Sequence, residues 1–336
     1  MISQSVKNTI RHFPKLMQEA LRELLGNDPL RMAGATAFFT TFALPPILLI
    51  NIQVLSLFFN RRTISRKLFQ NLSGMVGRES VHQVVQIISA VRKMAQNWWI
   101  TVGGFIFLLF VATTLFKVII SSVNQIWNIK MINRQGFLRT LNNRLHAVVV
   151  ILIAGLLFVL SLMAEGLQAM LGKYLSELSP MAAGYFRSAG SYLVSILIVT
   201  VWFAVMFRYL PDGRPQWSVA WVGALMTSVL FNIGKLILHW LLLSSNITTV
   251  YGASGSIVLL LLFVFYCSLI LYYGSAFTKV WALWIGKPIR PLPHAIYYKL
   301  AEVQVEDPRS KIQDSKIQTP NKNQEPVSKN RIKSTN

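Results

Sequence analysis

The stretch IVLLLLFVFYCSLILYYGSA, Ile257–Ala276, contains no charged residue. About 20 consecutive apolar residues are enough for an α-helix to cross about 30 Å of hydrocarbon. Four further runs carry at most one charge each, and a sixth is uncharged but contains two adjacent prolines. These runs are Trp98–Val123, Leu145–Leu171, Tyr192–Phe207, Val219–Leu243 and Met32–Phe59. The pattern predicts six transmembrane helices.

The composition agrees with a chain that lies mostly in lipid. Hydrophobic residues make up 53% of it and charged residues only 13%, whereas soluble domains carry about 25% charged residues. The net charge of +21 would indicate nucleic acid binding in a soluble protein, but membrane proteins collect Lys and Arg in loops that meet anionic headgroups. The fold class predicted is therefore an all-α polytopic membrane protein, with membrane lipids and no nucleic acid as partners.

Three parts of the chain differ in character. Residues 1–31 are predicted to form a cytoplasmic segment with an amphipathic helix over Ser5–Leu25, and residues 32–285 hold the six spans. Residues 286–336 are basic and, towards their end, contain almost no large apolar residue, so a largely disordered tail is expected.

The distribution of Lys and Arg predicts the orientation. An even number of spans places both termini on one side, and Lys and Arg are frequent in the N-terminal segment, in residues 124–144, in residues 208–216 and in the tail. Because cytoplasmic loops are enriched in these residues, both termini are expected in the cytoplasm. The basic segment between Arg61 and Lys93 does not fit this rule.

That segment contains apolar residues at helical spacing. They are Val81, Val84, Val85, Ile88 and Val91. The spacing predicts an amphipathic helix between spans one and two. It either lies on the membrane surface or packs over other parts of the protein.

The sequence gives no indication of catalysis. The five histidines are scattered, no H-E-x-x-H motif is present, and Cys267 is the single cysteine. Hydrolytic metal sites need clustered His and carboxylates. We therefore expect no enzyme activity, no metal and no cofactor.

Polar residues inside the apolar runs are the candidates for function, because each ionisable group in a bilayer costs several kcal/mol unless it is paired, snorkels or faces water. They are Lys117, Glu165, Asn232, Lys235 and His239. In the fifth run, small and polar residues recur every three or four positions, so one helix face is polar. We hypothesise that Glu165 pairs with Lys235 in the outer half of a polar interior; ordinary helix packing is the alternative for the smaller residues.

Pro45 and Pro46 lie near the middle of the first run. Two missing N–H donors are expected to break or kink that helix. Such a feature either lines a substrate path or is a structural kink.

The run YLPDGRPQWSVAWVGALMTSVLFNIGKLILHWL, followed by SNITTVYGASGSIVLLLLFVFYCSLILYYGSAF, resembles the YihY/BrkB family of bacterial inner-membrane proteins, once labelled ribonuclease BN. The stretch AGATAFFTTFALPPILLI, with Phe38 and Pro45, resembles the first span of that family. The positions that match the family pattern are Tyr209, Leu210, Pro211, Gly223, Ala224, Lys235, Tyr251, Gly252 and Gly274. The resemblance covers about Asp28 to Ile285. The family's acidic residue after Gly-Ala is replaced by Ala276.

The resemblance implies a multi-pass protein of the bacterial plasma (inner) membrane with an envelope-related role. A transporter or flippase-like protein that handles a lipid or another amphiphile is the leading hypothesis. A non-transporting structural or scaffolding protein is the alternative, and a homo-oligomer is compatible with both. The residues give no support to the ribonuclease label.

Overall fold

A computed structural model describes residues 2–56, 60–76, 78–94, 98–132, 180–244 and 255–299, together with residues 153, 156, 157 and 160. These parts are mostly helical, as predicted. The helices are α1 (Ile2–Leu25), α2 (Pro29–Leu55), α3 (Arg61–Val76), α4 (Arg78–Met94), α5 (Trp98–Ile126), α6 (Pro180–Tyr209), α7 (Trp217–Ser244) and α8 (Gly255–Trp284). Four short strands were not predicted: β1 (Ile129–Met131), β2 (Gly213–Arg214), β3 (Arg290–Pro291) and β4 (Ala295–Tyr297).

Two helices in the described part of the chain are long and apolar enough to cross a membrane, over Trp217–Ile237 in α7 and Ile257–Trp284 in α8. Leu193–Tyr209 in α6 is a shorter apolar helix. Most of the third predicted span, Leu145–Leu171, lies outside the described residues.

Helices α7 and α8 cross at two glycines. A Cβ atom added to Gly223 would overlap the side chain of Thr278, and one added to Gly274 would overlap the side chain of Thr227. Each threonine hydroxyl donates to a carbonyl oxygen of its own helix, Thr227 to Gly223 and Thr278 to Gly274, both at 2.7 Å. The hydroxyls are thus satisfied within each helix, and the glycines let the two backbones approach closely.

Tyr272 joins α8 to two other helices. Its side chain is fully buried, and its hydroxyl forms hydrogen bonds with Thr36 of α2, at 2.5 Å, and with Ser122 of α5. The surrounding core includes Val123 and Phe207, both almost completely buried. Tyr272 therefore connects α2, α5 and α8 in one hydrophobic core.

The segment between α2 and α5 contains the predicted helix with apolar residues at helical spacing. In α4, Val81, Val84 and Ile88 are buried in a cluster with Leu68 of α3 and Leu260 of α8, whereas Val85 is exposed; Val91 lies where side chains are not described. These contacts favour the alternative in which the helix packs over other parts of the protein.

Helix α2 passes through Pro45 and Pro46. The complete break that was one of the two expected outcomes is therefore not observed, and the kink stays a prediction. Pro45 is buried, and the two prolines donate no hydrogen bond to the carbonyls one turn earlier.

Short strands connect the loops at one end of the helices. β1 pairs antiparallel with β4, and β2 pairs antiparallel with β3. We call residues 127–132, 210–216 and 285–298 the end platform. Ile289 and Ala295 are buried in the main core, so residues assigned by the sequence to the start of the tail belong to the compact unit Met1–Tyr298. The rest of the predicted tail lies outside the described residues.

The close α7–α8 crossing predicts that added side-chain volume at either glycine lowers the stability of the protein. Gly274→Ala and Gly223→Ala should each destabilise the protein by about 1–3 kcal/mol, because the new methyl group must displace a buried threonine. Thermal unfolding of the purified protein measures this. Gly34→Ala in α2 is the matched control, since a Cβ atom there meets no atom within 4 Å. An unfolding temperature of Gly274→Ala equal to that of Gly34→Ala would show that the crossing is not tight.

Candidate functional site

A chain of hydrogen bonds connects α6 and α7. We call Ser195, Ser228, Asn232 and Lys235 the α6–α7 polar cluster. The Ser195 hydroxyl donates to Asn232 Oδ1 at 3.2 Å, and Asn232 Nδ2 donates to the Ser228 carbonyl oxygen at 2.9 Å. Ser228 Oγ in turn donates to the carbonyl oxygen of Ile196 at 2.8 Å. The predicted polar face of α7 therefore faces α6.

Lys235 is the charged member of this cluster. Its Nζ atom donates to Ser195 Oγ at 3.3 Å and lies 5.7 Å from the centre of the Phe231 ring. An ammonium group has three N–H donors. Among the described residues, Lys235 forms no ion pair with a carboxylate. The partners described for its ammonium group are one neutral hydroxyl and one aromatic ring.

Of the other predicted polar residues, Asn232 belongs to this cluster, and the structure describes the side chain of one more, Lys117. Lys117 is exposed on α5, and Glu165 lies outside the described residues, so the hypothesised Glu165–Lys235 pair stays a prediction. His239 belongs to α7, but its side chain lies outside the described part.

Lys279, near the end of α8, is surrounded quite differently. Its Nζ atom donates to Glu23 Oε1 at 2.7 Å, to the Ile126 carbonyl oxygen at 2.8 Å and to Asn128 Oδ1 at 3.1 Å. All three ammonium donors are therefore used. This one side chain connects α1, the C-terminus of α5 and α8.

A second polar cluster lies between the end of α5 and the end platform. Asn124 Nδ2 donates to Asp212 Oδ2 at 2.6 Å, while the Asp212 backbone N–H donates to Asn124 Oδ1 at 2.9 Å. His294 Nε2 lies 3.3 Å from Asp212 Oδ1. Asp212 also accepts a backbone hydrogen bond from Leu292 through its carbonyl oxygen. The cluster thus connects α5, the turn after α6 and the segment before β4.

The residues that match the family pattern lie in several parts of the fold. Gly223 and Gly274 form the α7–α8 crossing, and Ala224 is fully buried in α7. Ala276, at the position of the family's acidic residue, is also fully buried, in the main core, so this chain has an apolar side chain there.

Tyr209 is the last residue of α6, and Leu210 and Pro211 follow it in the turn. Tyr209 is half exposed and lies against Trp217, whereas Leu210 and Pro211 are buried. Tyr251 and Gly252 lie outside the described residues.

Aromatic side chains surround this end of α6 and α7. The rings of Tyr209 and Trp217 lie 6.0 Å apart, those of Trp217 and Trp221 lie 6.5 Å apart, and the Arg208 guanidinium lies 5.2 Å from the Trp217 ring. All three aromatic residues are more than 40% exposed. Exposed Trp and Tyr next to a cation are typical of the membrane–water interface.

Sequence reasoning missed Lys279, Asp212, Asn128 and His294 as partners. Glu23 and Lys279 are 256 residues apart, and Asn124 and Asp212 are 88 apart, so no local spacing connects them. The one available signal was the location of Lys279 and Asp212 at the ends of apolar runs, where unpaired charges are normally solvated.

The helices, the exposed aromatic residues and the buried polar contacts together define a helical integral membrane protein. A family model for the virulence factor BrkB matches residues 20–293. The chain therefore belongs to the BrkB family, which confirms the resemblance seen in the sequence.

Curated relatives are named UPF0761 membrane proteins. The protein from Delftia acidovorans is 23% identical over 289 residues, which are 83% of this chain and 65% of that protein. The protein from Saccharophagus degradans is 21% identical over 84% of this chain and 63% of its own length. A shorter relative from Alteromonas mediterranea is 24% identical, with 73% of this chain and 80% of that protein aligned.

The chain thus spans slightly less than two thirds of the length of the first two relatives. No solved structure matches it. The names of the relatives and the apolar helices support a location in a membrane.

The contacts of Lys279 predict a stability effect. Lys279→Met should destabilise the protein by about 1–3 kcal/mol, because Glu23 and the Ile126 carbonyl lose a donor in a poorly solvated place. Lys130→Met, at an exposed residue of β1, should change stability little. Thermal unfolding of both variants tests this, and equal unfolding temperatures would argue against a structural role for Lys279.

Proposed function

We propose that this protein binds and moves a lipid or another amphiphile with an anionic headgroup, and that Lys235 contacts that headgroup. The process involves no covalent chemistry, and the role is in the bacterial cell envelope. The observation that carries the proposal is the contrast between two lysines: Lys279 has three oxygen partners, whereas Lys235 has one neutral oxygen partner among the described residues.

Burial of an ammonium group without an anion is unfavourable. In lipid, such a group costs several kcal/mol unless an anion, a dipole or water compensates it. An anionic headgroup would supply two or more oxygen acceptors, and charge-assisted hydrogen bonds are about twice as strong as neutral ones. Glu165 is the competing partner within the chain.

The position of Lys235 suits a headgroup. It lies 18 positions after Trp217, which corresponds to about 27 Å along α7 at 1.5 Å per residue. If the exposed aromatic residues at the start of α7 lie at one interface, Lys235 comes close to the opposite one. A headgroup there could enter the polar cluster from the outer leaflet.

The proposed topology has six spans in the plasma membrane and both termini in the cytoplasm. The end platform supports it, because strand pairs and hydrogen bonds bring together the ends of α5, α6 and α8, which the even-span topology places on one side. Exposed cations at this end include Arg214, Lys287 and Arg290. Since cytoplasmic loops are enriched in Lys and Arg, these cations support a cytoplasmic location for this end.

A structural membrane protein without transport is the second candidate function. The close α7–α8 crossing favours it, because interlocked glycines and threonines limit movement of one helix along the other. In that case, the α6–α7 polar cluster would only join two helices.

A translocation assay tests the proposal. The purified protein is reconstituted into vesicles that contain fluorescent phosphatidylglycerol, and a membrane-impermeant reductant is added outside. If the protein moves the lipid, probe from the inner leaflet reaches the outer leaflet and loses its fluorescence. Lys235→Met should lower the rate about tenfold, corresponding to the loss of one charge-assisted contact, and Lys235→Arg should retain most of it because the charge remains.

Lys287→Met is the matched control, since Lys287 is exposed and distant in sequence from the cluster; its rate should equal that of the wild type. Wild-type vesicles that behave like protein-free vesicles would contradict transport of this probe class. A rate unchanged in Lys235→Met would contradict the role of Lys235.

A further inference from the structure

A groove of about 630 Å³ lies between α1 and the end of α8. Its apolar wall consists of Val280, Leu283 and Trp284, and its polar side consists of Glu19, Arg22 and Glu23. Leu283 is 61% exposed and Trp284 is 41% exposed. In a membrane protein, such a surface is covered by lipid, and an exposed Trp is typical of the headgroup level.

The groove is lined by two carboxylates and one guanidinium, and not all of them are paired. Glu23 is bound to Lys279 at 2.7 Å. Glu19 and Arg22 are exposed and form no ion pair within the described part of the chain. They are three positions apart on α1 and line the same groove, so one negative and one positive group are free to bind a ligand.

We propose that this groove binds a zwitterionic phospholipid with a primary amine in its headgroup. The Arg22 guanidinium binds the phosphate through two N–H donors, a geometry that suits phosphate. The ammonium of the headgroup donates to the Glu19 carboxylate. The start of an acyl chain packs on Val280, Leu283 and Trp284.

The same charges discriminate between headgroups. An anionic headgroup without an amine can bind Arg22 through its phosphate. Its negative charge then lies near the Glu19 carboxylate, and the two like charges repel each other. A choline headgroup carries the positive charge but has no N–H to donate to the carboxylate. Phosphatidylethanolamine should therefore bind more tightly than phosphatidylglycerol or phosphatidylcholine.

This site is independent of the function proposed above. The groove uses the end of α8 that lies beside Lys279 and α1, whereas Lys235 lies about 27 Å along α7 from the start of that helix. Failure of lipid transport would leave the groove untouched, and loss of lipid selectivity in the groove would leave the role of Lys235 untouched.

Native mass spectrometry of the full-length protein tests the inference. The detergent-purified protein is titrated separately with phosphatidylethanolamine, phosphatidylglycerol and phosphatidylcholine of identical acyl chains. The first lipid should bind about three- to tenfold more tightly than the other two, the range that one exposed ion pair and hydrogen bond provide.

Two single variants distinguish the roles of the charges. Arg22→Gln should weaken the binding of all three lipids, because each carries the phosphate. Glu19→Gln should remove the preference for phosphatidylethanolamine over phosphatidylglycerol, because the headgroup ammonium loses its negatively charged partner and the anionic headgroup is no longer repelled. Lys15→Gln, exposed on α1 outside the groove lining, should keep the wild-type preference.

Equal binding of the three lipids by the wild-type protein would overturn the proposal. A preference that persists in Glu19→Gln would also overturn it, provided that the variant unfolds at the wild-type temperature. Both substitutions are at exposed residues, and the comparison of lipids on the wild-type protein requires no variant.

Discussion

The crossing of α7 and α8 constrains the rest of the fold. Gly223 and Gly274 each face the side chain of a threonine on the other helix, so the two backbones are in close contact and their relative rotation is fixed. From α8, Tyr272 then contacts α2 and α5. From α7, Ser228 and Asn232 face α6. The positions of three other helices, α2, α5 and α6, thus depend on two residues without side chains.

Two lysines show how one residue type serves structure and candidate function in the same protein. Lys279 donates to three oxygen atoms, one from α1 and two from the end of α5 and the turn after it, and leaves no donor for a ligand. Lys235 donates to one serine hydroxyl and faces an aromatic ring. Since an ammonium that lies partly buried among apolar side chains needs an anion or water, the described residues leave the environment of Lys235 incomplete, and the headgroup proposed above would complete it.

Local sequence patterns predicted the elements much better than their contacts. Apolar runs correctly placed helices such as α7 and α8, and the family pattern identified Gly223 and Gly274, because both signals depend on neighbours in sequence. The contacts between Glu23 and Lys279 and between Asn124 and Asp212 could not be predicted, because distant segments form them. The strand pairs were missed because two or three residues carry no periodic signal.

The central claim is that the α6–α7 polar cluster is open to water and headgroups, and thiol accessibility tests this most directly. Single cysteines replace Ser228, Asn232 and Lys235 in a Cys267→Ser background, and a small membrane-impermeant thiol reagent is added from each side of the membrane. The account predicts labelling at Lys235 and Asn232 from one side. Complete protection of all three positions in a correctly inserted protein would contradict it and leave the cluster as a contact that only joins two helices.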